Sequence, residues 1–211
     1  MHKVYSVFSE DFKLPKHNFI LGSGCENTLK CVFEALNVKS LHYSFPCWGF
    51  IDVYKQQFKF KTYEHQFSRN FKDNEFDENI DVYYSTLPFN NFIPTMPNQK
   101  NILKSRYTII DLTYMQVDDL KKEFYDFNVN DNVILVGSFD KQFGCGLRLG
   151  FAVFPNSCAE KIQLFRENFI NSMAETFILK HMYFKKMQRN CYWQKIKNLG
   201  SVWQSQNYAV F

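Results

Sequence analysis

The sequence predicts an α/β fold built on a mostly parallel sheet, and three observations predict it. Short apolar runs alternate with helix-like patterns along most of the chain, the arrangement of crossover units rather than hairpins. Apolar residues make up 45% of the 211 residues, enough for a packed core. Residues able to do chemistry (Asn90, Asp111, Ser138 and Lys141) sit at or just after the ends of expected strands, where open α/β sheets bind ligands.

The elements follow in order. Phe19 to Leu21 is a short apolar run ending in Gly22, Ser23 and Gly24. Thr28 to Leu36 predicts a helix, because Leu29, Val32, Phe33 and Leu36 recur on one face. Ser40 to Tyr43 is a strand, followed by a turn at Phe45 to Gly49. Ile51 to Phe58 is helical and Phe60 to Glu64 extended. Gln66 to Asn79 is polar and predicts a surface loop. Ile80 to Thr86 is a strand, and the Leu87 to Pro94 stretch is a loop rich in breakers. Tyr107 to Leu112 predicts a strand that carries Asp111, Asp118 to Phe127 a charged helix, and Val133 to Gly137 a strand. Leu149 to Phe154 is a further strand after a glycine-rich turn. From Ser157 to about Arg189 the spacing of Ile162, Phe165, Phe169, Met173 and Phe177 predicts helix, broken once near Asn171.

Composition excludes several classes. The net charge of +4 spreads 25 basic residues among 21 acidic ones, without the basic stripe of a nucleic-acid binder. No stretch is long and apolar enough to span a bilayer, and the N-terminus has no apolar signal core, so a cytoplasmic protein is expected. The six cysteines form no CxxC pair and do not cluster with His, which predicts reduced thiols and no metal site.

The candidate residues together suit a phosphorylated, flat cofactor. Lys141 offers an amine for an aldehyde. Asp111 offers a carboxylate for a ring nitrogen. Arg148, Ser138 and the helix N-terminus after Ser23 and Gly24 offer an anion site. Trp48 offers a stacking surface. Each has a plainer alternative: a surface lysine, a turn aspartate, a core tryptophan.

The motifs resemble the large domain of the fold-type I pyridoxal-phosphate enzymes, in the class I/II aminotransferase group that includes histidinol-phosphate aminotransferases and threonine-phosphate decarboxylases. The lysine motif carries the resemblance: Ser138, Phe139, Asp140 and Lys141, then Gly144, Gly146, Arg148 and Gly150. The resemblance implies a three-layer sandwich and pyridoxal 5'-phosphate as cofactor. It implies that Lys141 is the Schiff-base lysine and proton shuttle, with Ser138 and Arg148 on the phosphate. Asp111 matches the acid at the pyridine nitrogen, and Tyr114 the tyrosine at the ring hydroxyl. Asn90 matches the asparagine of the family's Asn-Pro loop, with Asn91 as the other choice. Ser23, Gly24 and Cys25 match the phosphate cup, and Trp48 the stacking aromatic. Amino-acid and 2-oxo-acid substrates and a homodimer are implied in the same way.

The sequence departs from the pattern at four places, one of them Leu112, which follows Asp111 where many members have Glu. Its Asn loop lacks the second proline, Thr and Gly. Asp140 replaces a small serine beside the lysine, an unfavourable charge near a phosphate unless it points away. The family's small domain, with its carboxylate-binding arginine, has no counterpart, so residues 1–190 are expected to form the cofactor domain and 191–211 a remnant of or lead-in to a small domain. An aminotransferase is expected. A decarboxylase of amino-acid phosphates and a non-catalytic partner subunit remain the alternatives.

Overall fold

A computed structural model describes residues 6, 15–45, 47, 49–66, 74–76, 79–87, 89–90, 93–94, 97–114, 131–143 and 148–164. A 3-10 turn, Lys16–Asn18, leads into β1 (Phe19–Gly22) and α1 (Gly24–Leu36). Then come β2 (Ser40–Phe45), α2 (Phe50–Phe58), β3 (Lys61–Gln66) and β4 (Ile80–Thr86). Two short strands, β5 (Phe89–Asn90) and β6 (Ile93–Pro94), pair with each other. The chain continues through α3 (Gln99–Lys104), β7 (Ser105–Asp111), β8 (Val133–Ser138), α4 (Asp140–Phe143), β9 (Gly150–Val153) and α5 (Asn156–Leu164).

Seven strands form one sheet in the order β1-β9-β8-β7-β4-β2-β3. The pairs β3–β2, β2–β4, β4–β7 and β7–β8 are parallel, and β9 is antiparallel to both β8 and β1. The expected α/β class with a mostly parallel sheet is therefore the observed one. Strand parity sorts the side chains. Val82 and Tyr84, Ile109, and Ile134 and Val136 lie in one core with α1, α2 and α5. On α1, Leu29, Val32, Phe33 and Leu36 are all buried, as their helical spacing predicts, and Phe33 meets Tyr54 of α2 edge to face at 5.3 Å.

Two local differences stand out. Helix α1 begins at Gly24 rather than Thr28; Gly24 itself takes φ +84, a left-handed conformation that favours glycine, and the Thr28 hydroxyl donates back to its carbonyl at 2.9 Å. The expected surface loop between β3 and β4 sends Phe76 into the interior. Phe76 stacks on His65 at 3.8 Å, and the Asn101 side-chain oxygen accepts its backbone N–H at 2.9 Å. Short α3, whose Asn98 cap accepts the Lys100 N–H, was not legible as a helix because six residues give too little periodicity. The expected helix at 118–127 and the helical stretch beyond Leu164 lie outside the described residues.

The one strand of opposite sense has a structural consequence. Gly22 of β1 and Ser138 of β8 both pair with Gly150 of β9. An antiparallel strand delivers its amino end to the edge where its parallel neighbours end. The approach is so close that a Cβ on Gly150 would lie 2.3 Å from the Gly24 carbonyl and 2.6 Å from the Cys25 nitrogen. All three of those atoms are backbone and cannot rotate away. Gly150→Ala is expected to cost about 3 kcal/mol, read as a lower urea midpoint at unchanged slope.

Three tyrosines of this core face make stability sensitive to alkali. Burial, with Glu64 beside it, pushes the Tyr43 phenol up to about 12. Burial likewise pushes Tyr54 and Tyr84 up, helped by Glu26 and Asp111 respectively. Above about pH 10 the unfolded chain releases phenolic protons that the folded chain retains, so stability falls as pH rises from there through 12. Urea unfolding at about pH 9 and about pH 11 should show the loss.

Candidate functional site

The carboxyl ends of β1, β7 and β8 and the amino end of β9 meet at one sheet edge, as the register requires. A cavity of about 260 Å³ opens there. Its polar lining includes Cys25, Tyr84, Asp111, Ser138, Lys141 and Arg148. Leu29 and Phe33 from α1 and Ile51 and Tyr54 from α2 supply apolar lining.

Asp111, the last residue of β7, is 6% exposed. Three donors surround its carboxylate: the Tyr84 hydroxyl at 2.7 Å, the Thr113 backbone N–H at 2.8 Å and the Cys25 thiol at 3.8 Å. Burial pushes the Asp111 carboxyl up, while these donors pull it back. Burial and the neighbouring Asp111 charge push the Cys25 thiol well up, which keeps it a neutral donor.

Tyr84 was not among the expected site residues. The sequence offered only strand alternation, which puts it on the same face as Val82; its place beside the Asp111 strand comes from the sheet order. Tyr84→Phe keeps the ring and removes one donor to a buried charge. The expected loss is about 2 kcal/mol of stability, with a further upward move of the Asp111 carboxyl seen by carbon NMR titration.

Ser138 ends β8 and is buried; its hydroxyl donates to the Leu149 carbonyl at 3.4 Å and accepts the Asp140 N–H at 3.1 Å. Lys141 is half-buried in the short helix α4, its Nζ 5.8 Å from the centre of the Tyr114 ring. Arg148 has φ +47, a left-handed conformation costly for a side chain with a Cβ. Its Nη2 donates to the Ser23 carbonyl at 3.5 Å. A Cβ on Gly24 would lie 3.1 Å from the same guanidinium, so the glycine gives it room beside the first turn of α1. The N–H groups of that turn have no partner within the helix and favour an anion.

The fold thus brings Ser23, Gly24, Cys25, Asp111, Tyr114, Ser138, Lys141 and Arg148 to one edge. Trp48 lies outside the described residues, as do Gly144 and Gly146 of the lysine motif, and Asn90 is described only as part of β5. Asp140, flagged by its charge, turns its Oδ1 toward the Leu149 N–H at 3.1 Å. Among the described residues no group of His, Cys, Asp and Glu could hold a metal, and no helix is long and apolar enough to cross a membrane.

No family model matches the chain. The histidinol-phosphate aminotransferase of Sulfurovum sp. (strain NBC37-1) is 22% identical over 196 residues, covering 80% of this chain and 51% of that protein. The chain therefore spans about half the length of the curated relative it matches. Among solved structures, the histidinol-phosphate aminotransferase of Sinorhizobium meliloti in complex with pyridoxal-5'-phosphate superposes with a TM-score of 0.72 at 13% identity, covering 95% of this chain and 57% of the other. The L-threonine-O-3-phosphate decarboxylase of Porphyromonas gingivalis gives 0.64 at 16% identity, covering 85% and 58%. The chain has the fold of the pyridoxal-phosphate-dependent aminotransferases.

Proposed function

We propose that this chain is the cofactor-binding part of a pyridoxal-phosphate-dependent aminotransferase that acts on an amino acid or an amino-acid phosphate. The observation that carries the reading is the meeting of an amine, a buried carboxylate and an anion cup around one cavity: Lys141, Asp111, and the α1 first turn with Ser138 and Arg148. The donor set suits this cofactor. Arg148 has space over Gly24 that any side chain there would fill, and the buried Asp111 carboxylate lines the same cavity as Lys141.

In this reading the backbone of Ser23, Gly24 and Cys25, the Ser138 hydroxyl and the Arg148 guanidinium hold the phosphate. Asp111 holds the ring nitrogen protonated, its orientation fixed by Tyr84 and Thr113. Tyr114 bonds the ring hydroxyl, Asn90 or Asn91 is the asparagine of the family's loop, and Trp48 stacks on the ring. The cofactor, when bound, supplies the electron sink for bonds at the substrate α-carbon. Lys141 would hold the cofactor at its aldehyde and would carry the proton at the substrate α-carbon. Leu29 and Phe33 of α1 and Ile51 of α2 supply apolar wall to the same cavity.

Residues 1–190 form the cofactor domain in this proposal, and 191–211 lead into or remain from a small domain. A homodimer and a cytoplasmic setting complete it. A decarboxylase is the second reading, favoured by the likeness to the Porphyromonas gingivalis enzyme and to a decarboxylase of Sulfurospirillum multivorans, which superposes with a TM-score of 0.67 at 17% identity.

The test is to purify the protein with pyridoxal phosphate, record its visible absorbance, reduce it with borohydride and map the adduct by mass spectrometry. A yellow protein with the adduct on Lys141 supports the proposal. A colourless, adduct-free protein with a folded circular-dichroism spectrum overturns it. Screening amino acids for release of carbon dioxide or of a 2-oxo acid then separates the two readings.

A further inference from the structure

Asp140 stands where a negative charge is least expected. It is 7% exposed, immediately before Lys141 and close to an arginine read here as an anion ligand. Its surroundings account for it. The Asp140 Oδ1 accepts the Leu149 N–H at 3.1 Å, and its Oδ2 lies 3.9 Å from Arg148 Nη1. The Leu149 carbonyl is gripped as well, by the Phe139 N–H at 2.9 Å and the Ser138 hydroxyl at 3.4 Å. Leu149 is thus held at both its amide hydrogen and its carbonyl by consecutive residues 138 to 140. The residue next to it, Arg148, carries the unfavourable φ of +47. A strained backbone persists only where its surroundings over-determine it, and this clamp does so.

Resting on the reading of this edge as an anion cup, we propose that Asp140 is a positioning residue with two opposed effects. Its carboxylate oxygen clips the Leu149 amide, which sets the backbone that aims Arg148 across Gly24. Its charge occupies part of the Arg148 guanidinium and opposes an incoming phosphate, so the cup binds its anion less tightly than its geometry allows. The aim is preformed and the grip is moderated by one side chain.

The two effects separate by substitution. Asp140→Asn keeps an oxygen for the Leu149 N–H and removes the charge. Asp140→Ala removes both. Two measurements on the cofactor-free protein read them: hydrogen exchange at the Leu149 amide and calorimetric affinity for inorganic phosphate. Exchange should be protected in the parent and in Asp140→Asn, and at least about tenfold faster in Asp140→Ala, where a buried donor loses its acceptor. Phosphate should bind about fivefold tighter to Asp140→Asn than to the parent, the size expected of a partly exposed ion pair. It should bind about tenfold weaker to Asp140→Ala. The gain in Asp140→Asn should shrink at high salt.

A merely structural aspartate would weaken or leave unchanged the binding in Asp140→Asn, and that result overturns the proposal. So does a parent protein that binds no phosphate, or rapid Leu149 exchange in Asp140→Asn. Pyridoxal phosphate uptake is scored separately. If the phosphate order holds but no adduct forms on Lys141, the cofactor reading fails and the role of Asp140 stands. If the adduct forms but the order is flat or reversed, Asp140 fails and the cofactor reading stands.

Discussion

Lys141→Ala, purified in the presence of pyridoxal phosphate, is expected to be colourless after dialysis, to carry no borohydride-stable adduct, and to lose at least about a thousandfold in turnover. The loss is large because, in the proposed function, one amine would have two tasks: holding the cofactor at its aldehyde and carrying the proton at the substrate α-carbon. The fold should survive. Lys141 is half-buried on a four-residue helix, and the sheet beneath it is built from β7, β8 and β9 without its side chain. Equal circular-dichroism spectra and urea midpoints for parent and variant would confirm that the loss is chemical. An adduct that reappears on another lysine in the variant would remove Lys141 from its role.

Asp111→Asn should divide binding from chemistry. Asparagine fills the same volume and can still accept the Thr113 N–H or the Tyr84 hydroxyl, but it brings no charge to the cavity. The adduct on Lys141 should therefore form, while turnover falls about a hundredfold or more, the scale of removing one preorganised electrostatic contact at a reacting centre. The protein already bears a cost for this carboxylate, since burial pushes it up and three donors are needed to hold it. Such a cost is sensible where the charge has work to do in the bound state. Equal turnover in Asp111→Asn would show that the carboxylate is only a strand-end partner for Thr113 and Tyr84.

Much of this was legible before any coordinates. Alternating apolar runs placed β4 at Ile80–Thr86, and the i, i+3, i+4 spacing named the buried face of α1, because those periods are local consequences of strand and helix geometry. The order of Ser138, Lys141 and Arg148 along the chain, and of Asp111 before them, was equally a property of the sequence. What the sequence could not state was distance. Tyr84 reaches Asp111 only because β4 and β7 are neighbours in the sheet, although 27 residues separate the pair in the chain. Gly150 is constrained by Gly24, and the Ser23 carbonyl meets Arg148, because β9 runs against its neighbours and brings its amino end to their carboxyl edge. Asp140 looked like a misplaced charge, since nothing in its neighbours along the chain shows that a backbone amide nine residues away would take its oxygen. Periodicity and motif order are short-range properties that side-chain chemistry encodes directly. Partners across strands depend on sheet order and register, which are set only when the whole core packs at once.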